Sequence, residues 1–423
     1  MHPGALLDLT TELLRAVLKL DQPADAVVSA FFRKHRALGV RERHTLAETT
    51  YAVLRQRLLF QHFAQSGSGA LERRLAILGW QGAPTFLRGA LGPQEQAWLG
   101  QVGQIDRATL PEKLRHNLPD WLAGALREPL GEEFWPLVEA LNQPAPLDLR
   151  VNALKARGEA GREQAIAALA EAGITARPTP FSPWGLRVEG KPVLNKAAPF
   201  VEGVVEVQDE GSQLLALLTD ARRSEMVVDF CAGAGGKTLA LGAAMRSTGR
   251  LYAFDVSGHR LDALKPRLAR SGLSNVHPVQ IAHERDERIR RLAGKIDRVL
   301  VDAPCSGLGT LRRNPDLKWR QSPQAVVELQ GKQRAILAAA ARMLKPGGRL
   351  VYATCSLLAA ENEGVVQGFD EAMASEFEPV PVGELLAAMK VDAAPSLVSG
   401  QWLRLWPHRH QTDGFFAAVW RRR

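Results

Sequence analysis

Between residues 226 and 354 the sequence alternates between two textures. Five short runs rich in β-branched and aromatic residues, M-V-V-D-F, R-L-Y-A-F-D, V-H-P-V-Q-I, D-R-V-L-V-D and G-R-L-V-Y-A-T, are separated by stretches of helical character. Parallel strands need a crossover of a dozen or more residues, and a helix is the usual one. The alternation therefore predicts an α/β domain built on a doubly wound parallel sheet. In such a sheet ligands bind beyond the C-terminal ends of the strands, where the strand order reverses. W-L-R-L-W and G-F-F-A-A-V-W then read as a closing antiparallel pair.

The preceding sequence has a different period. Leu6, Leu9, Leu13, Val17 and Leu20 recur three or four residues apart, as on one face of an amphipathic helix. Leu46, Val53, Leu54 and Leu58 mark another helix, and to about 143 short helical patterns are broken by Gly and Pro. From 144 to 222 a strand-like run, a helix ending at a Gly and the strands G-L-R-V-E and V-V-E-V-Q fit a small α+β domain of βαββ type. Three domains are expected: a helical one at 1–143, a small one at 144–222 and the α/β domain at 223–423.

Charge and cysteine usage narrow the class. The chain has 423 residues and a formal net charge of +9, and the whole excess falls on residues 226–423. That favours an acidic partner, nucleic acid first. Three widely spaced Cys fit neither a disulfide framework nor a zinc site, so reduced thiols and a cytoplasmic location are expected, with no metal. Neither a membrane span nor a signal peptide is read in the sequence. A monomer is the default expectation.

After the first run comes D-F-C-A-G-A-G-G-K-T. A Walker A loop needs Gly where Cys231 stands, and a dinucleotide fingerprint needs Gly where Thr238 stands. An S-adenosylmethionine loop fits better, with glycines letting the backbone approach the cofactor. Asp255 ends the second run, 22 residues beyond Gly233, where a carboxylate can accept hydrogen bonds from two ribose hydroxyls. A Gly-rich turn without a ligand is the bland alternative. The fourth run leads into Asp302, Pro304 and Cys305, and the fifth into Thr354 and Cys355. Neighbouring parallel strands lie about 4.8 Å apart, so two thiols and a carboxylate are expected to converge beside the glycine loop. One Cys alone reads as a small buried hydrophobe. Two, each just past a strand and followed by Ser, point to chemistry.

D-A-P-C-S-G, Y-A-T-C-S and C-A-G-A-G-G-K-T, with R-R-N-P-D-L-K-W-R, P-G-G-R-L-V-Y, E-N-E and D-G-F-F, resemble the RNA 5-methylcytosine methyltransferases, and among them the RsmB-type ribosomal RNA enzymes. The resemblance covers roughly 226–423. The N-terminal region is similar to a NusB-type RNA-binding domain, carried by F-R-K-H-R-A-L-G and Y-A-V-L-R, and the middle segment to a ferredoxin-like or RRM-like domain. The resemblance implies a class I Rossmann-like methyltransferase that uses S-adenosyl-L-methionine on RNA, small-subunit ribosomal RNA first and transfer RNA second.

It also implies residue roles. Cys355 is the nucleophile that adds to carbon 6 of cytosine and makes carbon 5 enamine-like. Cys305 helps release the product, and Asp302 contacts the ring near nitrogen 3. Cys231, Ala232, Gly233, Gly235, Gly236, Lys237, Asp255, Arg260 and Asp302 form the cofactor side. Pro304 lies on the RNA side, and Arg312, Arg313, Lys318 and Trp319 form an expected RNA contact loop, with core packing as the alternative for Trp319. Two positions depart from the family pattern. Ala234 replaces a usual Pro, and the usual Asp after the third strand is replaced by A-H-E-R-D, with His283 or Glu284 as substitutes and Asp286 farther along. An amino-directed methyltransferase would show N-P-P-Y or D-P-P-Y where D-A-P-C stands. A non-catalytic RNA-binding protein would have no need of both cysteines.

Overall fold

The computed structural model describes residues 1–156, 158–391 and 393–423. They form two compact units, Met1–Pro144 with Thr310–Pro323, and Ala145–Gly309 with Gln324–Arg423.

The described residues of the first unit are helical. The helix Pro3–Val17 buries Leu6, Leu13 and Val17, while Leu9 is half-buried. Leu20 lies beyond the helix end with φ 60°. The helix expected around 46–58 is broken at Gln56 into Val40–Arg55 and Arg57–Ala64. A helix end leaves its last carbonyls without intrahelical donors. The segment 310–323 supplies them: Trp319 Nε1 donates to Leu54 O at 2.7 Å and Lys318 Nζ to Arg55 O at 2.7 Å. Arg55 Nη2 donates in return to Arg312 O at 2.9 Å, and Asp316 Oδ2 accepts from Ala24 N at 3.2 Å.

This placement corrects the expected RNA contact loop. Lys318 is 3% exposed, and burial, with Arg55 adding, pulls its ammonium down to about 7. Arg312 is buried, its Nη2 donating to Pro144 O at 3.0 Å, and Trp319 and Arg313 are half-buried. Lys318 and Trp319 complete helix ends instead of facing phosphates. Trp319→Ala is therefore expected to destabilise the helical unit by about 3 kcal/mol, measured as a lower urea midpoint. The placement also redistributes the charge. The helical unit holds 20 Lys+Arg against 16 Asp+Glu, so part of the basic excess of residues 226–423 lies in the helical unit.

The second unit contains two sheets. The smaller is formed by β1 (Leu147–Val151), β2 (Ala176–Pro178), β3 (Gly185–Val188) and β4 (Val205–Val207), antiparallel in the order β2-β3-β1-β4. The helix Gly158–Glu171 joins β1 to β2. β2, three residues long, has no counterpart in the sequence reading. Its alternation is too short to register.

The larger sheet holds β5 (Met226–Phe230), β6 (Arg250–Asp255), β7 (Val276–Gln280), β8 (Ile296–Asp302), β9 (Leu344–Thr354), β10 (Phe377–Pro379), β11 (Val398–Ser399), β12 (Trp402–Leu405) and β13 (Phe415–Arg422). Its order is β11-β12-β13-β9-β8-β5-β6-β7, with β10 also on β13. β5 through β9 are parallel, and β13 runs antiparallel to β9. Both faces are covered. Val227, Leu251, Leu300 and Val351 enter one apolar layer, and Val228, Phe254, Val299 and Tyr352 the other. The chain runs outward from β5 to β7 and returns to β8, so the strand order reverses between β5 and β8. Among the described residues no helix is long and apolar enough to cross a membrane.

Candidate active site

The loop after β5 turns at once into the helix Gly236–Ala244. Cys231, Gly233 and Gly235 all have positive φ, 68°, 57° and 80°. A Cβ on Gly235 would lie 2.2 Å from Leu264 Cδ1, so close packing and the left-handed backbone both require glycine. Gly235→Ala is expected to cost about 3 kcal/mol, read from chemical unfolding without ligand. A Cβ on Gly233, by contrast, would meet open space. Asp255 binds the loop to the end of β6: its Oδ2 accepts from Gly233 N at 2.8 Å and its Oδ1 from Ser257 N at 2.7 Å. Each oxygen keeps a lone pair for a further donor. Val256 beside it is 59% exposed, an apolar surface next to the carboxylate that the sequence reading did not single out. At Ala234, where the resemblance implies a Pro, Arg267 Nη1 donates to the loop carbonyl at 2.6 Å and tethers it.

A buried carboxyl lies at the end of β5, just before the loop. Asp229 is fully buried, its Oδ2 accepting from Thr238 Oγ1 at 2.6 Å while Oδ1 has no partner. Burial pushes this carboxyl up to about 7, against the Thr238 hydrogen bond. A carboxyl with a folded pKa above its unfolded value holds its proton better in the native state. Its contribution to stability is present below pH 4 and is lost as pH rises toward 7. Asp229→Asn is expected to remove this part of the slope, roughly 2–4 kcal/mol between pH 4 and 7, in thermal unfolding at stepped pH.

Lys237 Nζ donates to Asp302 Oδ2 at 2.7 Å and lies 6.0 Å from the Phe415 ring centroid. Burial works against its charge, but Asp302, Asp229 and the Cys355 sulfur outweigh burial and hold the proton on. A lysine, an aspartate and the two strand-end thiols therefore share one crevice.

Cys305 Sγ and Cys355 Sγ are 3.4 Å apart. The thiol of Cys305 is pushed well up by its contact with Cys355, then by burial and by the negative charge of Glu361. Gly309 N donates to Cys355 O and Gly414 N to Gly309 O, both at 2.8 Å. A Cβ on Gly309 would lie 2.0 Å from Gly414 O, so this backbone ladder requires the glycine. Cys231 makes no such pair, and burial, then Asp302, pushes its thiol up. Pro304 is half-buried, its carbonyl accepting from Gln333 Nε2 at 3.0 Å. Arg260 is exposed at the start of the helix Gly258–Ser271. After β7, Asp286 is committed to capping, accepting from Ala282 N and Arg288 N, and Glu284 pairs with Arg285. Among the described residues no cluster of three or more His, Cys, Asp or Glu side chains is arranged to hold a metal ion.

A family model described as 16S rRNA methyltransferase RsmB/F matches residues 216–421. A probable ribosomal RNA small subunit methyltransferase B from Synechocystis is 34% identical over 347 residues, covering 80% of this chain and 74% of that protein. The chain belongs to the RsmB/F methyltransferase family. A second model, for the ferredoxin-like domain of RsmF/B-like methyltransferases, matches residues 118–194 and so begins inside the helical unit. The crystal structure of PH0851 aligns with 99% of this RsmB/F-family chain at TM-score 0.79 and 26% identity, covering 99% of its own length. A methyltransferase homologue from Pyrococcus horikoshii aligns over 75% of this chain and 99% of its own, at TM-score 0.61 and 28% identity. The large sheet is the Rossmann-like methyltransferase fold, and the small one its ferredoxin-like companion.

Proposed function

We propose that this methyltransferase modifies carbon 5 of cytosine in RNA, small-subunit ribosomal RNA being the substrate, through a covalent adduct with Cys355. The pair of thiols 3.4 Å apart at the ends of β8 and β9 carries this reading. Transfer to an amino group needs no sulfur nucleophile, whereas carbon 5 must first be activated.

The loop fits S-adenosylmethionine. Asp255 retains acceptor capacity for the ribose diol, the backbone at Gly233 lies open, Val256 offers an apolar face, and Asp302 suits a cationic ligand. When bound, that cofactor supplies an electrophilic methyl group. The remaining steps belong to the protein. Cys355, its proton lost to solvent, bonds through sulfur to carbon 6 of a flipped or unpaired cytosine as the carbon 5–carbon 6 π pair shifts onto carbon 5, which takes the methyl group, while Asp302 faces nitrogen 3. The Lys237 ammonium offsets negative charge on Asp302 and on the attacking sulfur. Once carbon 5 is methylated, its proton passes to water. The freed electron pair restores the ring double bond, and the bond to Cys355 breaks with its pair on sulfur. Cys305, holding its proton 3.4 Å away, donates to that departing sulfur.

RNA also needs a surface. In the helical unit Arg33, Lys34, Arg36 and Arg41 are exposed around the turn between the helices Ala24–Lys34 and Val40–Arg55. Converting Arg33, Arg36 and Arg41 to Gln is expected to lower the salt dependence of RNA binding by about two to three phosphate contacts. The full reading is tested by bisulfite mapping of small-subunit RNA from a strain lacking the gene. One protected cytosine should become convertible, and an unchanged map contradicts the substrate assignment.

A further inference from the structure

The E-N-E run, Glu361 to Glu363, takes no part in the chemistry described so far. Yet Glu361 is fully buried, and all four donors to its carboxylate lie on or beside the cysteine loops. Its Oε1 accepts from Ser306 N at 2.8 Å and from Gln333 Nε2 at 3.0 Å. Its Oε2 accepts from the hydroxyls of Ser306 and Ser356, which lie 3.2 Å from each other. Ser306 follows Cys305 and Ser356 follows Cys355. Gln333 also holds Pro304 O, and Tyr352 OH donates to Glu361 O at 2.6 Å. Four donors fill the four lone-pair positions of a carboxylate, which is what a buried charge requires. Asn362 adds a second clamp, receiving Thr354 Oγ1 and donating to Ser356 O at 3.0 Å.

We propose that Glu361 is a positioning residue for the two thiols, its carboxylate locking the Cys305 loop to the Cys355 loop so that Cys305 can release the adduct Cys355 forms. The proposal rests on the covalent reading above. Its physical basis is simple. The loops belong to different strands, and the hydroxyl–carboxylate bridge ties together the residues that follow the two cysteines. Charge–hydrogen-bond contacts of this kind are short and strong, so their loss lets the sulfurs drift apart. A displacement near 1 Å at a reacting group is enough to cost about 100-fold.

Glu361→Ala removes the bridge. Glu361→Gln keeps it, because the amide oxygen can serve Ser306 N and Gln333 while its NH2 donates to two serine hydroxyls that rotate to accept. Purified full-length variants are compared in methyl transfer to small-subunit RNA and on denaturing gels for trapped protein–RNA adduct. Glu361→Ala is expected to lower kcat about 30-fold or more, leave KM for S-adenosylmethionine within about twofold, and accumulate adduct, with Glu361→Gln restoring most of the release rate. A Glu361→Ala protein with wild-type release overturns the proposal, as does a matching fall in kcat and adduct formation with no trapped species. If that variant does not fold, the Ser306→Ala/Ser356→Ala double variant decides: adduct accumulation supports the bridge and wild-type release refutes it. The outcomes separate the two readings. An adduct in Cys305→Ala but not in Glu361→Ala removes only the role of Glu361. No adduct in any variant removes the covalent reading itself.

Discussion

Replacing Cys355 with alanine is expected to abolish methyl transfer, with a loss of at least about 10⁴-fold in kcat, since the proposed nucleophile that activates carbon 5 is removed. The substitution removes one sulfur from a half-buried position, so unfolding midpoints should hardly move. Binding should also survive, because the cofactor loop is built by Asp255, Gly235 and Arg267 and not by this thiol. The expected variant is therefore folded, binds S-adenosylmethionine, binds RNA and forms neither product nor adduct. Transfer assays with labelled cofactor, beside equilibrium binding, check all four statements.

Cys305→Ala should behave in the opposite way. Contact with Cys355 and burial push the Cys305 thiol up, and its sulfur lies 3.4 Å from Cys355. Without it, Cys355 still attacks and carbon 5 is still methylated, but the departing sulfur finds no donor. A protein–RNA adduct should then persist through denaturing electrophoresis and disappear on nuclease treatment, with multiple turnover falling about 100-fold or more. If the adduct appears only when Cys355 is the residue replaced, the two roles are exchanged.

The strand runs, the glycine loop and both cysteine positions were legible in the sequence, because short-range periodicity and strand-end placement carry them. The convergence of Cys305, Cys355 and Asp302 followed from one rule about where parallel sheets bind ligands. Other features were not legible. Lys318 and Trp319 looked like nucleic-acid contacts, since a basic run with an aromatic residue has the same composition whether it faces phosphate or helix-end carbonyls. What decides is the break at Gln56, and that break lies more than 250 positions away in sequence. The clamp at Glu361 was hidden for a related reason: E-N-E entered only as a motif of the resemblance, and only the fold brings Ser306 and Ser356 to it. The tether at Ala234 is likewise a side chain from another element, Arg267.

The position of the new methyl group distinguishes attack through carbon 5 from transfer to any other atom. Purified protein is incubated with labelled S-adenosylmethionine and unmodified small-subunit RNA, the RNA is digested to nucleosides, and the labelled product is identified by chromatography with mass spectrometry. The expected label lies wholly in 5-methylcytidine, is absent with Cys355→Ala, and is recovered as protein-linked RNA with Cys305→Ala. Label in N4-methylcytidine, in a ribose methyl group or in another base would contradict the thiol mechanism.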